Sequence, residues 1–333
     1  MAEWKPRIDL KNRTKLETVI PLETPFIVFI DPSDVCNFQC KFCPTGDREK
    51  MKFIPDRNAG AMDFELYKKI IDDLDEFPDQ VKVVRLYKDG EPLVNPRFVD
   101  MIKYAKASPK VDRVDTTTNG ALLTREIADG IIEAGLDRIN ISIEGVTDEQ
   151  YLEFSKCKVN YKELRENIKY LYEHKTNLEM IVKINGDVIS AEERQKFLDD
   201  FNDITDGIFV ESVMDCWPEF EQTKVEVNQE KGIYGQELKE VSVCPYVFYS
   251  IAVNASGSVS LCFLDWSRKL LLGSIKEHSL KEFWNSEKMN AYRRSFLAGN
   301  RKKCEVCKDC GQLKGGMPDN IDPYKDELLK HYL

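Results

Sequence analysis

Ten cysteines are the residues of this sequence whose type and spacing could do chemistry, and eight of them fall into groups. The groups are Cys36, Cys40 and Cys43, then Cys244 and Cys262, then Cys304, Cys307 and Cys310. A chain of 333 residues is long enough to fold without disulfide staples. Grouped thiols in such a chain therefore indicate metal or iron–sulfur sites rather than a disulfide framework.

The first group has the spacing C-x3-C-x2-C, so three thiolates on one short loop could converge on a single centre. A tetrahedral zinc site would need a fourth Cys or His nearby, and the three histidines of the chain are distant in sequence. A four-iron cluster normally takes four thiolates, so three would leave one iron open to a ligand that donates nitrogen and oxygen. Three unrelated buried thiols, or a zinc loop completed from afar, are the alternatives.

This loop resembles the signature of the radical S-adenosylmethionine (SAM) enzymes, C-x3-C-x-aromatic-C. The matching residues are Cys36, Cys40, Phe42 and Cys43. The resemblance implies that the amino and carboxylate groups of SAM chelate the open iron of a [4Fe-4S] cluster. It also implies that the reduced cluster cleaves SAM to a 5'-deoxyadenosyl radical, which abstracts a substrate hydrogen, and that a reducing partner such as flavodoxin or ferredoxin supplies the electron.

Alternating strands and helices are predicted around this loop. Apolar and β-branched runs predict six strands, at 25–30, 81–87, 111–118, 138–143, 180–184 and 208–213. Helices are predicted from Asp63 onward and over 96–106, 124–134, 161–172 and 191–201. Such alternation implies parallel strands with crossover helices, whose strand-end loops carry the chemistry in βα barrels. An open doubly wound sheet would look similar, and the resemblance favours the partial (β/α)6 barrel of the radical SAM family.

The loop after the second strand reads Lys88-Asp89-Gly90-Glu91-Pro92 and resembles the family's Gly-Gly-Glu-Pro motif. That motif meets the amino group of SAM, for which a glycine allows close backbone approach and a carboxylate offers acceptors. Asp89 stands where the family has its first glycine, which puts the local turn geometry in doubt more than the role of Glu91. A surface turn is the alternative, because Asp-Gly and Pro are ordinary turn formers.

Three further strands carry polar residues that could lie near SAM. Thr118 and Asn119 resemble the threonine- and asparagine-rich strand end that faces SAM and substrate, although a capped turn would look the same. Ser142 occupies the position of a serine that contacts the ribose or carboxylate of SAM. Lys183 could supply a cation to that carboxylate, and a solvated lysine is the alternative.

The second set of cysteines begins with the spacing C-x12-G-x4-C, in two predicted short strands joined by a turn. It resembles the start of the SPASM and shorter twitch extensions of radical SAM enzymes. An apolar face at Leu280, Phe283 and Trp284 predicts a helix that closes at Arg293 and Arg294.

A full SPASM module carries seven cysteines and two auxiliary clusters, whereas five cysteines follow residue 243 here. The resemblance therefore implies one auxiliary [4Fe-4S] cluster, held by Cys244, Cys262 and two members of the C-terminal triplet. The sequence does not decide which of Cys304, Cys307 and Cys310 is spare. A second cluster with an incomplete ligand set, or a zinc site built from the triplet, is the alternative.

Asp215 and Cys216 follow the sixth predicted strand, at the active-site end of the predicted barrel. A thiol there could donate a hydrogen atom to a substrate radical, as in family members that epimerise. A carboxylate could instead act as a general base, so that a second electron leaves to the auxiliary cluster and the substrate is oxidised. A loop without a catalytic role is the alternative for both residues.

The resemblance favours a dehydrogenase acting on a small polar, sugar-like or cyclitol substrate, with an epimerase or a SPASM-type peptide maturase as alternatives. About 25 residues precede the first predicted strand, too few for the recognition domain of many maturases. The predicted organisation is an N-terminal extension (1–24), a radical SAM partial barrel (25–213), a connector (214–242), a SPASM/twitch auxiliary cluster domain (243–311) and a tail (312–333).

Charge and hydropathy exclude other classes of function. With 48 Lys and Arg against 58 Asp and Glu, the net charge of −10 disfavours a nucleic-acid partner. No stretch approaches the roughly 18 apolar residues that a membrane span needs. The first residues lack the apolar core of a signal peptide, so the expectation is a cytoplasmic protein without a membrane partner.

Overall fold

The computed structural model describes residues 1–8, 12–57, 60–220 and 230–333, in which one mixed sheet is flanked by helices. The predicted extension (1–24) and connector (214–242) lie partly outside the described residues, at 9–11 and 221–229. The described strands are Glu3–Trp4 (β1), Ile27–Ile30 (β2), Val81–Leu86 (β3), Val111–Thr118 (β4), Arg138–Ile143 (β5), Glu179–Asn185 (β6), Gly207–Glu211 (β7), Ser250–Val253 (β8), Ser258–Ser260 (β9) and Leu271–Ser274 (β10). The described α-helices are Arg48–Met51 (α1), Phe64–Asp72 (α2), Phe98–Ala107 (α3), Arg125–Ala134 (α4), Asp148–Ser155 (α5), Tyr161–His174 (α6), Ala191–Phe201 (α7), Leu280–Trp284 (α8), Glu287–Leu297 (α9), Gln312–Gly315 (α10) and Lys325–Lys330 (α11).

Strands β2 to β7 pair in parallel in chain order, each with its neighbours along the sequence. Helices cross over between them, so their apolar runs are buried on the helix side, as at Val28 and Ile30. The polar side chains of alternate positions then point to the concave side, where Ser142 of β5 is the register partner of Lys183 of β6. This arrangement confirms the predicted partial barrel.

The N-terminal extension adds a strand that the sequence did not indicate. Glu3 and Trp4 pair in parallel with Gly207 and Ile208 of β7, beyond the last predicted barrel strand. The Trp4 ring lies 5.0 Å from the ring of Phe209, measured between centroids. A strand of two residues is too short to show an alternating pattern, which is why periodicity missed it.

The predicted hairpin of the second cysteine region continues the barrel sheet instead of forming a sheet of its own. β8 pairs in parallel with β2, with Ile27 opposite Ser250, and β9 and β10 follow as antiparallel neighbours. The turn between β8 and β9 contains Gly257 at φ +91°, a conformation that favours glycine. The first cysteine loop therefore leaves a strand that lies next to the second cysteine region.

Helix boundaries follow local capping. The Asp63 side chain accepts a hydrogen bond from the Leu66 amide at the start of α2, as the sequence predicted. The single helix expected to close at Arg293 and Arg294 is instead two helices, because Ser286 accepts from the Met289 amide and starts α9. Trp284, fully buried at the end of α8, donates from Nε1 to the Leu22 carbonyl at 2.9 Å.

The C-terminal tail packs on the rest of the chain. Leu328 of α11 is buried, and the rings of Tyr332 and Phe248 have centroids 5.9 Å apart. Among the helices that the structure describes, none has the length and hydropathy to cross a membrane.

Candidate active site

The first cysteine loop is held in shape by close backbone packing. A Cβ on Gly46 would lie 2.4 Å from the Cys40 carbonyl oxygen, so the turn after Cys43 requires glycine. The Gln39 amide donates to the Ser155 carbonyl at 2.7 Å and the Lys41 amide to the Phe154 carbonyl. Helix α5, which the sequence analysis did not predict, thus anchors the loop between its cysteines.

The three thiols of this loop sit in a shielded environment. Burial, together with the nearby Glu91 carboxylate, raises the pKa of Cys36 to about 12. Burial, Glu144 and the other two thiols raise the pKa of Cys40. Clustered thiolates in such surroundings require a compensating cation, which the irons of a cluster provide.

The donors around these sulfurs fit an iron–sulfur ligand set. The Phe38 amide donates to the Cys36 sulfur at 3.3 Å, and the Asn119 side-chain amide approaches the same sulfur at 3.9 Å. Amide hydrogen bonds to sulfur stabilise ligating thiolates and tune their clusters. Phe42, the aromatic residue of the signature, is half-buried in this loop.

The motif loop after β3 packs directly on the cysteine loop. A Cβ on Gly90 would lie 2.2 Å from the Ser33 carbonyl oxygen and 2.4 Å from that of Val35, so this position needs glycine. The Glu91 amide donates to the Val35 carbonyl at 3.0 Å, and Pro92 begins a single 3-10 turn. The close approach that the motif predicted is therefore formed with Asp89 in place of the first glycine.

The Glu91 carboxylate joins two strand ends. It accepts from the Thr118 hydroxyl at 2.5 Å, the Asn119 amide at 2.8 Å and the Leu93 amide at 3.1 Å. Burial raises its pKa to about 7, and these hydrogen bonds oppose that rise. The Asn119 side chain donates in turn to Asn37 Oδ1 at 2.8 Å. The structure thus brings Glu91, Thr118 and Asn119 together beside the cysteine loop.

Lys183 has a carboxylate partner on the neighbouring strand. Its Nζ lies 2.6 Å from Glu211 Oε2, and Arg7 Nε lies 3.5 Å from the other oxygen of Glu211. These two cations outweigh burial and hold the pKa of Glu211 below its ordinary value. Ser142, the register partner of Lys183, is half-buried on the same side of the sheet.

Glu144 is a titratable group to which the sequence analysis gave no role. Burial raises its pKa to about 7, with Lys183 lowering it and Glu211 raising it. Its carboxylate also raises the pKa of Cys40, which places it near the first cysteine loop. A glutamate after a strand carries no distinctive spacing, so only the fold could single it out.

Four thiols of the second cysteine set line one cavity of about 460 Å³, measured with its open mouth. They are Cys244, Cys262, Cys307 and Cys310. Apolar side chains such as Val247, Leu264 and Phe296 form much of the remaining wall. Cys304 is not part of this wall, although its side chain is hydrogen-bonded to that of Cys307.

The electrostatics of the cavity suit a buried cluster. Burial raises the pKa of Cys244 to about 12, while the Arg301 guanidinium lowers it. The Leu264 amide donates to the Cys262 sulfur at 3.4 Å, the same kind of bond as in the first loop. Within the described ranges, no three Cys, His, Asp or Glu side chains are arranged to hold a single metal ion.

The predicted pair after the last barrel strand lies against this cavity. A Cβ on Gly311 would lie 1.9 Å from the Asp215 carbonyl oxygen, so the two backbones touch. The Asp215 side chain is exposed, and partial burial raises its pKa. Burial, with smaller contributions from the Cys310 and Cys43 thiols, raises the pKa of Cys216 to about 12. Cys216 therefore lies near a thiol of each cysteine set.

Solved structures share this fold. BtrN in complex with AdoMet (SAM) and 2-DOIA superposes with a TM-score of 0.56 at 17% identity, covering 89% of this chain and 97% of that chain. The anSMEcpe structure with bound AdoMet gives 0.60 at 16% identity, covering 92% and 96%. SuiB of Streptococcus suis, bound to S-adenosylmethionine, gives 0.60 at 16% identity, covering 90% and 74%. At these identities the likeness is one of fold.

Curated relatives match over different lengths. The tungsten-containing aldehyde ferredoxin oxidoreductase cofactor-modifying protein of Pyrococcus furiosus is 25% identical over 331 residues, covering 86% of this chain and 89% of that protein. The GTP 3',8-cyclase of Chlorobaculum tepidum is 31% identical over 129 residues, and that of Clostridium perfringens 29% over 173 residues. These two alignments span only 36% and 50% of the cyclases.

Two family models divide the chain between the cysteine sets. The iron-sulfur cluster-binding domain called SPASM matches residues 244–311, which include the four thiols of the cavity. The Radical SAM superfamily matches residues 30–204, more than half of the chain, including the first cysteine loop and the Glu91 motif. The chain therefore belongs to the radical SAM superfamily, with a SAM-binding [4Fe-4S] cluster and a C-terminal SPASM domain for further iron–sulfur binding.

Proposed function

We propose that this protein is a radical SAM dehydrogenase that oxidises an alcohol or thiol carbon of a small polar, sugar-like or cyclitol substrate. The observation that carries the proposal is the cavity lined by Cys244, Cys262, Cys307 and Cys310. A cluster with four thiolate ligands has no open iron for a substrate, so its remaining use is to pass electrons. Dehydrogenation needs such an acceptor, because it removes one electron more than hydrogen abstraction does.

The cofactors and the protein share the work of this oxidation. When bound, SAM and the first cluster supply the radical that takes a carbon-bound hydrogen atom, and the auxiliary cluster accepts the second electron. The chain itself must accept the hydroxyl or thiol proton of the substrate. A carboxylate with a pKa near the working pH suits that task.

Two carboxylates are candidates for this base. Asp215 follows the last barrel strand, where the sequence placed a base, and its side chain is exposed. Glu144 is half-buried, has a pKa raised to about 7 by its surroundings, and lies near Cys40. If Glu144 is the base, Glu144→Gln abolishes oxidised product while 5'-deoxyadenosine still forms, and Asp215→Asn retains product. The reverse result assigns the base to Asp215.

Epimerisation is the second candidate, and Cys216 favours it. With a pKa raised to about 12 by burial, its thiol keeps its hydrogen at neutral pH, which is the form that donates a hydrogen atom. A thiol beside both cysteine sets could quench a substrate radical on the opposite face. Cys216→Ala should abolish product from an epimerase and leave a dehydrogenase active.

The substrate class is supported by likeness. BtrN, whose structure contains 2-DOIA, is covered over 97% of its chain, and anSMEcpe, solved with the bound Cp18Cys peptide, is covered over 96%, so chain coverage alone does not separate small molecules from peptides. The name of the Pyrococcus furiosus relative describes modification of a cofactor, a second class of small molecule. Cyclitols and nucleotide-linked sugars are therefore assayed beside peptides, with flavodoxin or ferredoxin as the reductant.

The ligand set is tested by counting irons on anaerobically reconstituted protein. Two clusters predict about eight irons per chain, four for each [4Fe-4S] cluster. Because Cys304 lies outside the cavity wall, Cys304→Ser should keep that count, and Cys307→Ser should lose about four irons. Loss of iron in Cys304→Ser with retention in Cys307→Ser would reverse the assignment. About four irons plus one zinc in the wild type would refute the auxiliary cluster.

A further inference from the structure

Six buried charged residues connect the SAM-side loops to the SPASM domain. They are Asp31, Arg57, Lys88, Asp89, Asp265 and Arg268, here called the buried charge cluster. The side chains of Lys88, Asp89, Arg57 and Arg268 have no solvent exposure (0%), and Asp31 and Asp265 are buried. Asp31 follows β2, Lys88 and Asp89 follow β3, and Asp265 and Arg268 follow Cys262. The loops after β2, after β3 and after Cys262 therefore meet at one site that is closed to solvent.

Asp89 is the centre of the buried charge cluster. Its Oδ2 accepts from Lys88 Nζ at 2.8 Å and from Arg268 Nη1 at 2.6 Å, and Arg57 Nη1 lies 3.7 Å from Oδ1. Burial alone would raise the pKa of Asp89, but these three cations outweigh it and hold the pKa well below its ordinary value. Asp89 is thus an anion shared by cations from three segments.

The same cations also reach the turn that follows a cysteine of each set. Lys88 Nζ and Arg268 Nη1 donate to the Asp265 carbonyl at 3.3 and 3.1 Å, within the turn that follows Cys262. Arg57 Nη2 donates to the Thr45 hydroxyl at 2.8 Å, and that hydroxyl donates to the Asp89 carbonyl at 2.7 Å. Thr45 belongs to the turn that follows Cys43. Asp89 and the cations bound to it therefore tie together the turns after a cysteine of each set.

We propose that Asp89 is a positioning residue that fixes the turn after Cys262, at 263–270, against the SAM-side loops and so sets the placement of the two clusters. The family motif has a glycine where this chain has Asp89, and a glycine could not bridge the cations of the buried charge cluster. This role serves any reaction that uses both clusters, so it does not depend on dehydrogenation being the outcome.

The need for a charge at this position follows from burial. Without Asp89, the guanidinium of Arg268 and the ammonium of Lys88 would lack their shared counter-charge, which is costly for buried ions. In the described residues, Arg268 Nε and Nη2 and Arg57 Nε already have no hydrogen-bond partner.

The test compares Asp89→Asn with a matched control, Asp115→Asn, in reconstituted holoprotein. Asp115 is also buried, and it pairs with Arg85 within the barrel at 3.3 Å. Hydrogen exchange is followed at the amides of Lys269 and Leu270, which donate to the Asp265 carboxylate at 3.0 Å each. The magnetic interaction between the two reduced clusters is followed by electron paramagnetic resonance.

Asp89→Asn should speed exchange at 269–270 by roughly tenfold or more and change the magnetic interaction, with the iron count retained. Asp115→Asn should do neither. If Asp89→Asn fails to fold, Arg268→Gln breaks the same ion pair from the SPASM side and should also speed hydrogen exchange at the amides of Lys269 and Leu270. The double variant Asp89→Asn/Arg268→Gln should exchange more slowly than Asp89→Asn alone, because fewer buried cations lack a counter-charge.

Unchanged exchange and unchanged magnetic interaction in Asp89→Asn would overturn the proposal. Equal loosening by Asp115→Asn would also overturn it, since the effect would then be general. Neither readout requires product, so an enzyme that proves to be an epimerase refutes the proposed function and leaves this result intact.

Discussion

Replacing Glu91 with alanine should destabilise the SAM-side loops by several kilocalories per mole, because three buried donors lose one acceptor. The donors are the Thr118 hydroxyl and the amides of Leu93 and Asn119. A buried donor left without a partner costs about 1–3 kcal/mol, so three of them cost roughly 3–9 kcal/mol. A buried carboxylate is itself costly, so its removal offsets part of this cost. The expected loss in the free energy of unfolding is therefore about 3–5 kcal/mol.

Glu91→Gln is the matched control. Its amide oxygen can still accept from Thr118 and Leu93, while its NH2 group faces the Asn119 amide, which is also a donor. One unsatisfied donor predicts a loss of about 1–3 kcal/mol, so alanine should be worse than glutamine by about 2 kcal/mol. Both variants should bind SAM more weakly, because Asn119 also contacts Asn37 and Cys36 of the cysteine loop.

The assay is urea unfolding of the anaerobic apoprotein at pH 8, above the Glu91 pKa of about 7, with SAM binding measured on the reconstituted protein. The midpoints should fall in the order wild type, Glu91→Gln, Glu91→Ala. Equal midpoints for the two variants would refute the hydrogen-bond reasoning. The reasoning would also be refuted if the free energy of unfolding of Glu91→Ala lay within about 0.5 kcal/mol of wild type, which is the range of an ordinary surface substitution.

Two other substitutions test other parts of the molecule. Gly311→Ala places a Cβ 1.9 Å from the Asp215 carbonyl oxygen, so it should lower the free energy of unfolding by about 1–3 kcal/mol and reduce the auxiliary iron content. The control is Gly130→Ala in α4, where the new Cβ meets only side-chain atoms of Val99, and it should leave the thermal unfolding midpoint nearly unchanged. The second substitution is Glu179→Gln. Partial burial raises the pKa of Glu179, but Lys5 and Arg138 outweigh burial and hold that pKa below its ordinary value of 4.5. The stability that Glu179 contributes is present above pH 4.5 and is lost as the pH falls through its lower folded pKa. The urea midpoint of wild type should therefore exceed that of Glu179→Gln near pH 7, and this difference should shrink below pH 4.5; a difference that grows with acid would contradict it.

Local patterns predicted the barrel well because its strands are buried on the helix side and its helices have ordinary caps. Val28 and Ile30 make an apolar strand, and Asp63 marks the start of the helix that follows it. The cysteine loop was visible for a similar reason, since three ligands of one cluster lie within a single short segment. Both features depend on residues close together in the chain.

The parts that the sequence missed depend on distant residues. The Asp89–Arg268 ion pair joins positions separated by 179 residues, and neither side chain belongs to a spacing that indicates the other. The C-x2-C-x2-C triplet is regular, so spacing could not separate Cys304 from Cys307. Only the fold places Cys307 in the wall of the cavity. The pairing of β8 with β2, which brings the two cysteine sets together, is likewise a property of the sheet.

The central claim is tested most directly by 5'-deoxyadenosine formation in anaerobic holoprotein that has been reduced with dithionite and given SAM. Wild type should form 5'-deoxyadenosine, Cys40→Ala should form none, and Cys307→Ala should still form it. Wild type that forms no 5'-deoxyadenosine above slow background, or Cys40→Ala that forms as much as wild type, would contradict the account.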